Sequence, residues 1–481
     1  MITFMLNQEV KQEHQLSPNM TVLQYLRTHT RKTGTKEGCG SGDCGACTVV
    51  LAEAKNNQLE YRSINACLTF ISSLHGKQLI TVEDLQESDK LHPVQQAMVD
   101  FHGSQCGYCT PGFIMSMFAL VKNKPKLDKQ NILESLAGNL CRCTGYRSIV
   151  DAALSLSSNQ PLVDQFSSLE KTTISQLTSL SKQPATLKFG KLTAYFPRSI
   201  EETARVYTVN PKAKLVAGGT DLALEVTQLH KEITTLICLH LVDDMKLCCE
   251  NGKVISIGAN TNITDAAPLL TQHFPDFGEL LHRFASPQIR NIGTLGGNLA
   301  NASPIGDIAP LLIALNAKLK LRCGGEKRTI PLDDFFVSYK VTTQQKSEFI
   351  EQILIPKLKS KTLFRAYKLS KRLDDDISTV CGAFNIEIKN NKVINARIAF
   401  GGMAEIPKRA IHCENTLIGS SWDQKSIESA MKSISQDFEP LTDFRASKEY
   451  RSIVAANMLQ RLFIEQDYLN NQIETRVTSY V

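Results

Sequence analysis

No stretch of this chain is apolar for long enough to cross a membrane, and its first residues, Met1-Ile2-Thr3-Phe4-Met5-Leu6, lack the basic flank and long apolar core of a signal peptide. Neither membrane insertion nor secretion is expected, and a cytoplasmic location is. Basic clusters interleaved with aromatics are also missing, and a formal charge of +6 over 481 residues is small, so nothing argues for nucleic acid as a partner. The ten histidines form no H-E-x-x-H or comparable set, and none is assigned a role. Nor is this the composition of a disordered chain, with 42% apolar and 21% charged residues. The length exceeds what one ordinary core serves, and three or four domains are expected.

Cysteine, in contrast, is abundant. Fourteen in a cytoplasmic chain point to ligands, redox groups or buried thiols rather than disulfides, and eight of them fall before residue 144. Cys39, Cys44 and Cys47 stand as C-x4-C-x2-C inside the run Gly38 to Val50, with Cys67 following. That is the spacing of plant-type [2Fe-2S] centres, in which four thiolates hold two irons. Such a cluster carries negative charge in a largely dry loop, which inward-pointing backbone N–H groups must offset. Gly40, Gly42 and Gly45 suit that backbone, because glycine reaches positive φ at little steric cost.

Gly40 to Gly45 also satisfies G-x-G-x-x-G, the dinucleotide fingerprint. That motif requires a strand before it and a helix after it. Here a polar run, Thr30 to Lys36, precedes it and a strand-like run, Thr48 to Leu51, follows, so the dinucleotide reading fails.

In order, Ile2 to Val10 reads as a strand with a polar turn at Lys11 to Glu13, and a helix starts at Val22 after Ser17-Pro18. Thr48 to Leu51 and Leu59 to Ile64 flank the polar turn Lys55-Asn56-Asn57, a hairpin signal, and Leu79 to Val82 is a last strand. From His92 to about Ser157 apolar residues recur at helical spacing: Val94, Ala97, Met98 and Phe101, then Phe113, Met117, Leu120 and Val121. Pro111 stands where a helix can begin. Between these helices lie Cys106-x2-Cys109 and Cys141-x-Cys143, a second four-thiolate set. Zinc would accept the same ligands. The neighbouring plant-type loop favours iron and sulfur, since one electron carrier beside another makes a relay.

Gln105 to Gly112 and Gly138 to Tyr146 carry a family resemblance. With the first loop, they resemble the molybdenum hydroxylase family, which includes the xanthine dehydrogenases. The resemblance implies that Cys39, Cys44, Cys47 and Cys67 ligate one [2Fe-2S] cluster, and that Cys106, Cys109, Cys141 and Cys143 ligate the other.

Residues 158–190, rich in Ser, Thr, Gln and Leu without helix caps or a clear period, read as a linker. Beyond Leu192 strands and helices alternate, with glycine turns at Gly218-Gly219 and Gly296-Gly297. Alone, either turn is a weak signal. Together they resemble the family's flavin-binding domain, an α+β fold without a Rossmann fingerprint. The resemblance implies that Leu215, Val216, Ala217, Gly218, Gly219, Thr220, Asp221 and Leu222, with Thr294, Leu295, Gly296, Gly297 and Asn298, cradle the pyrophosphate and ribityl part of FAD. It places Asp307, Lys368 and Asp375 near the flavin and the ring of Phe284 against it. Ala383 to Ile388 and Ile394 to Phe400 read as strands, and Lys425 to Gln436 and Lys448 to Phe463 as helices. Cys238, Cys248, Cys249, Cys323, Cys381 and Cys413 have no ligand spacing and read as small buried hydrophobes or idle thiols.

The expected fold is thus an α+β multidomain chain. A plant-type ferredoxin domain of β-grasp type covers 1–86 and a four-helix [2Fe-2S] domain 87–157. After the linker, an α+β flavin-binding domain of the vanillyl-alcohol-oxidase/PCMH type covers 191–362, and a small C-terminal α/β flavoprotein domain covers 363–481. The resemblance implies the electron-transferring subunit of a bacterial-type xanthine dehydrogenase, passing electrons through two [2Fe-2S] clusters to FAD and on to NAD+ as hypoxanthine and xanthine become urate. No residue for substrate hydroxylation is expected here. The molybdenum cofactor is expected in a large partner subunit, in a heterotetramer with two copies of each. Alternatives are the equivalent subunit of another molybdenum hydroxylase acting on an aldehyde or N-heterocycle, a zinc-binding scaffold, and a stand-alone NADH diaphorase.

Overall fold

The computed structural model describes residues 1–123, 127–157, 163–360, 362–468 and 475. They form two compact units: Met1–Asp243 with Ala285–Thr294, and Asp244–Phe284 with Leu295–Val481. The chain read as one flavin domain, 191–362, contributes to both.

The first unit opens with a five-stranded mixed sheet, in the order Glu9–Glu13, Ile2–Leu6, Gln78–Ile80, Thr48–Lys55, Gln58–Asn65. The hairpin expected around Asn56-Asn57 is there, with Lys55 paired to Gln58 and both asparagines at positive φ, the conformation a two-residue turn demands. The first turn is not where the polarity of Lys11 to Glu13 suggested. Asn7 turns the chain at φ +55°, and Glu9–Glu13 pairs back onto Ile2–Leu6 as an edge strand. Alternation along an exposed edge is weak, so charge there is a poor guide to where a strand ends. Thr21 caps a short helical segment, Val22–Gln24, that runs on as Tyr25–His29 and buries Val22, Leu23, Tyr25 and Leu26 against the sheet.

Four helices follow: Pro93–Asp100, Thr110–Asn123, Lys129–Leu136 and Arg147–Ser155. His92 Nδ1 accepts from Val94 N–H at 3.2 Å to cap the first, and Asp128 Oδ1 accepts from Asn131 N–H at 2.8 Å to cap the third. Phe113, Met117, Phe118 and Ile132 meet Val94, Ile149 and Ala152 in one core, which continues into Val50, Ala52 and Ile80 of the sheet.

The segment read as a linker carries regular structure; its residues 158–162 lie outside the described set. Gln165–Ser168 and Glu170–Ser181 are helical and Thr186–Phe189 is a strand. Phe166 enters the helical core, and Leu177 and Leu180 pack on Met5, Ala54 and Leu59. The helical period is present at Thr173, Leu177 and Leu180. It was hidden because one of its three positions is a threonine and no side chain caps the start. The same unit ends in a sheet ordered Thr186–Phe189, Leu192–Tyr195, Thr235–Cys238, Lys214–Val216, whose last two pairings are parallel.

The second unit has an antiparallel sheet ordered Cys248–Asn251, Val254–Gly258, Phe349–Pro356, Lys318–Cys323, Glu326–Pro331. A further sheet, Thr362–Leu369, Val380–Lys389, Lys392–Gly401 and Lys408–Arg409, carries the helices Ile411–Leu417, Gln424–Asp437 and Lys448–Tyr468. Phe400 stands edge-on to Phe384 and Phe438, with ring centres 5.6 and 5.5 Å away, at the middle of that core.

Candidate redox centres

The loop between Thr30 and Thr48 has no strand before the glycines and one after them, which is why the dinucleotide reading fails. Gly40, Gly42 and Gly45 all take positive φ, at +63°, +86° and +69°. That winding turns amides inward: the N–H groups of Ser41, Asp43 and Cys44 donate to Cys39 Sγ at 3.4, 3.3 and 3.4 Å, and Cys39 N–H donates to Cys44 Sγ at 3.4 Å. Donors aimed at sulfur stabilise its anionic form.

The thiols come together in twos. Cys39 interacts directly with Cys44, which holds Cys39 down to about 4 and raises Cys44. Cys47 pairs with Cys67, both buried, the former lowered and the latter raised by the contact. The second site repeats the pattern. Burial and the contact with Cys141 push Cys109 up to about 12, and Cys143 is raised by Cys106. Two thiols beside two thiols is the donor set of a binuclear centre, with one pair for each iron. Among the described residues, no group of three or more His, Cys, Asp or Glu is drawn close enough together to hold a metal ion as it stands.

The two sites differ in exposure. Cys47 and Cys67 are buried, whereas Cys106 and Cys143 are exposed, as are the neighbouring Tyr108, Leu140 and Tyr146. Cys141 Sγ accepts from Thr144 Oγ1 at 3.2 Å and Thr144 N–H at 3.5 Å, and Tyr146 Oη accepts from Cys141 N–H at 3.0 Å. Thr144 and Tyr146 hold this loop, and nothing in the sequence marks them, because their contacts fall within one short turn that spacing alone does not resolve.

The residues read as flavin-binding fall in both units. In the first, Leu215 and Val216 end the strand Lys214–Val216, and Ala217 to Thr220 form a turn into the helix Leu222–Thr227, which follows Asp221. A Cβ on Gly218 would sit 2.0 Å from Ile292 O, so backbone packs directly on backbone, and Gly219 turns at φ +77°. Thr294 is buried there as well. In the second unit, Leu295, Gly296, Gly297 and Asn298 start the short helix Leu295–Ala300. Gly296 N–H donates to Ala259 O at 2.9 Å, leaving a Cβ only 2.5 Å from that oxygen. These glycines are required by close chain packing as much as by any ligand.

Asp307 and Lys368 are brought together. Lys368 Nζ donates to Asp307 Oδ2 at 2.6 Å and to Ser378 Oγ at 2.9 Å, with both charged side chains buried. Asp307 Oδ1 is buried without a hydrogen-bond partner among the described residues, an acceptor that a hydroxyl or amide of a bound group would satisfy. Arg283 Nε donates to Leu373 O at 3.0 Å and Nη1 to Lys368 O at 3.2 Å, tying down the loop that holds Asp375 at φ +56°. Phe284 is half-buried, two residues beyond the helix Pro275–His282. Neither Ser378 nor Arg283 stands in a spacing that marks it in the sequence. Cys238, Cys381 and Cys413 are buried, with burial raising their thiols, while Cys248 and Cys249 are exposed.

Known proteins align with this arrangement module by module. Residues 5–72 match the 2Fe-2S iron-sulfur cluster binding domain and 81–154 the [2Fe-2S] binding domain. Residues 187–358 match the FAD binding domain in molybdopterin dehydrogenase, and 365–466 the CO dehydrogenase flavoprotein C-terminal domain. Xanthine dehydrogenase of Emericella nidulans is 32% identical, over 88% of this chain and 35% of its own. Xanthine dehydrogenase/oxidase of Mus musculus is 32% identical, over 92% and 37%. The chain therefore spans little more than a third of these relatives' length. Among solved structures, carbon monoxide dehydrogenase from Hydrogenophaga pseudoflava superposes with a TM-score of 0.53 at 27% identity, over 56% of this chain and 94% of that one. Reconstituted CO dehydrogenase from Oligotropha carboxidovorans gives 0.54 at 26%, over 56% and 96%.

Proposed function

From the premise that this chain is the iron–sulfur and flavin module of a molybdenum hydroxylase, we propose that it carries electrons from a molybdenum-cofactor-binding partner to NAD+, in a cytoplasmic xanthine dehydrogenase that oxidises hypoxanthine and xanthine to urate. Cys39, Cys44, Cys47 and Cys67 hold one [2Fe-2S] centre, and Cys106, Cys109, Cys141 and Cys143 the other. The turns at 215–222 and 294–298 hold FAD, with Phe284, Asp307, Lys368 and Asp375 beside the flavin. When bound, the iron–sulfur centres supply one-electron exchange, and the flavin supplies either one electron or a hydride. The observation that carries the iron–sulfur part of this reading is the loop that aims the N–H groups of Ser41, Asp43 and Cys44 at Cys39 Sγ beside three further thiols, and the likeness to xanthine dehydrogenases supports the substrate.

The chain's own residues set the terms of that transfer. Amides around Cys39 favour added negative charge at the first site, which the fold keeps largely dry. The second site is open at Cys106 and Cys143, and we place the partner's contact there, across Tyr108, Leu140 and Tyr146. The assembly has two copies of each subunit. The buried Lys368 ammonium, shared by Asp307 and Ser378, is a fixed positive charge where the flavin would gain electrons. A second reading keeps the module and changes the substrate, supported by the likeness to carbon monoxide dehydrogenases.

The test uses the anaerobically purified chain, alone and with its copurifying partner. NADH should bleach the visible absorption of the chain alone, and xanthine should bleach it only in the complex. Bleaching of the complex by an aldehyde or another N-heterocycle but not by xanthine would overturn the substrate. A colourless chain carrying zinc would overturn the electron-transfer reading.

A further inference from the structure

The two thiol loops of the first unit are joined by a backbone hydrogen bond. Leu140 N–H donates to Cys44 C=O at 3.0 Å, and Leu140 is covalently next to Cys141. Backbone thus runs from a cysteine of the first site to a cysteine of the second with one non-covalent step. Gly45, Gly112 and Gly138 make this contact possible: a Cβ on Gly45 would lie 2.2 Å from Gly138 O, and one on Gly112 would lie 2.3 Å from Gly45 O.

Buried amides hold this junction. Asn139 Nδ2 donates to Gly45 O at 3.0 Å and to Thr48 Oγ1 at 3.1 Å, and its Oδ1 accepts from Ser116 Oγ at 2.6 Å. The last member comes from a distant part of the sequence. Gln288, on the short helix Pro287–Arg290, is fully buried, and its Nε2 reaches Asn139 Oδ1 at 3.1 Å, Thr48 Oγ1 at 3.2 Å and Ser116 Oγ at 3.3 Å. The stretch that bears it belongs with the first unit, although the chain on both sides of it belongs to the second. Gln288 Oε1 is buried with no hydrogen-bond partner among the described residues, and it lies against Gly138, where a Cβ would come within 2.0 Å of it. A buried, unpaired carbonyl is destabilising. The carboxamide therefore holds three acceptors of the junction with its nitrogen while leaving its own oxygen unpaired.

We propose that Gln288 is a positioning residue for electron passage between the two cysteine sites. Its carboxamide fixes Asn139, and through Asn139 the Cys44–Leu140 hydrogen bond. This rests on the iron–sulfur reading above. In the passage one site loses one electron and the other gains it, and no covalent bond forms or breaks. The chain's contribution is the length and continuity of the bridge.

The full chain, loaded with iron and sulfide, provides the test. Gln288→Met keeps the volume and removes the donors. Gly138→Ala keeps the glutamine but puts a methyl group 2.0 Å from its Oε1, at a backbone position without positive φ, so the carboxamide must shift. In both variants the Leu140 amide should exchange with deuterium on the order of tenfold faster. The magnetic coupling between the two reduced centres in frozen solution should weaken, with iron and sulfide content unchanged. A merely structural role would lower thermal stability and leave the coupling alone. Unchanged exchange and coupling in both variants would overturn the proposal while two visible centres kept the iron–sulfur reading standing. A wild-type chain without two paramagnetic centres would overturn that reading, and this inference with it.

Discussion

Single residues carry most of the chemistry. Thr144 Oγ1 donates to Cys141 Sγ, and a donor at a ligand sulfur stabilises added electron density. Thr144→Val should therefore lower the reduction potential of the second site and leave the first unchanged, as read by a spectroscopic redox titration; equal shifts at both sites would contradict this. Gly45 combines φ +69° with backbone packed where a Cβ would go. Gly45→Ala should cost at least the ~1–2 kcal/mol of a left-handed residue and lower iron content at the first site, measured by denaturant unfolding and iron assay. At this scale the grouping of the thiols was legible, because Cys39, Cys44 and Cys47, like Cys106 and Cys109 or Cys141 and Cys143, stand in local spacing. Asn139 and Gln288 were not. They are common polar residues 149 positions apart, and nothing in either neighbourhood marks the contact.

Elements are held by a few buried charges that the sequence shows only as scattered polar residues. Asp164 accepts from His92 Nε2 at 3.1 Å and from Lys122 Nζ at 2.9 Å, and it caps the helix Gln165–Ser168. Through it the stretch that reads as a linker is locked to the four helices. Burial acts to raise the Asp164 carboxyl, but the His92 hydrogen bond and the Lys122 charge outweigh it and hold the group below its usual range. A depressed carboxylate contributes stability at neutral pH that is lost as pH falls below its ordinary value of about 4. Asp164→Ala should destabilise the first unit by about 3–5 kcal/mol, since Lys122 is left buried without its partner, and it should flatten the acid limb of a stability–pH curve. An unchanged acid limb would contradict the assignment. In the second unit Lys368→Met strands Asp307 in the same way and should cost a similar ~3–5 kcal/mol. It should also weaken FAD retention, read as flavin fluorescence released on dilution. Strand and helix types were readable from period and turn chemistry, as at Asn56-Asn57. The helix Glu170–Ser181 was not, because Ser and Thr dominate it and its stability comes from what it packs on.

At the scale of the whole molecule, the order of modules is what spacing and resemblance gave: a thiol loop on a small sheet, thiol loops between helices, then the glycine turns. What stayed hidden is that the chain read as one flavin domain is divided, with residues 191–243 and the short stretch Ala285–Thr294 belonging to the unit that holds both sets of ligand-spaced cysteines. Such a division is a property of tertiary packing and leaves no period in the sequence. Electron passage through this chain requires that each thiol set hold a binuclear iron–sulfur centre. The most direct measurement is electron paramagnetic resonance of the dithionite-reduced chain, with iron, sulfide and zinc assayed on the same sample. The account predicts two distinct signals with two irons and two sulfides behind each, one signal lost in Cys44→Ser and the other in Cys106→Ser. Zinc at either set in place of iron, with fewer than two signals, would contradict it.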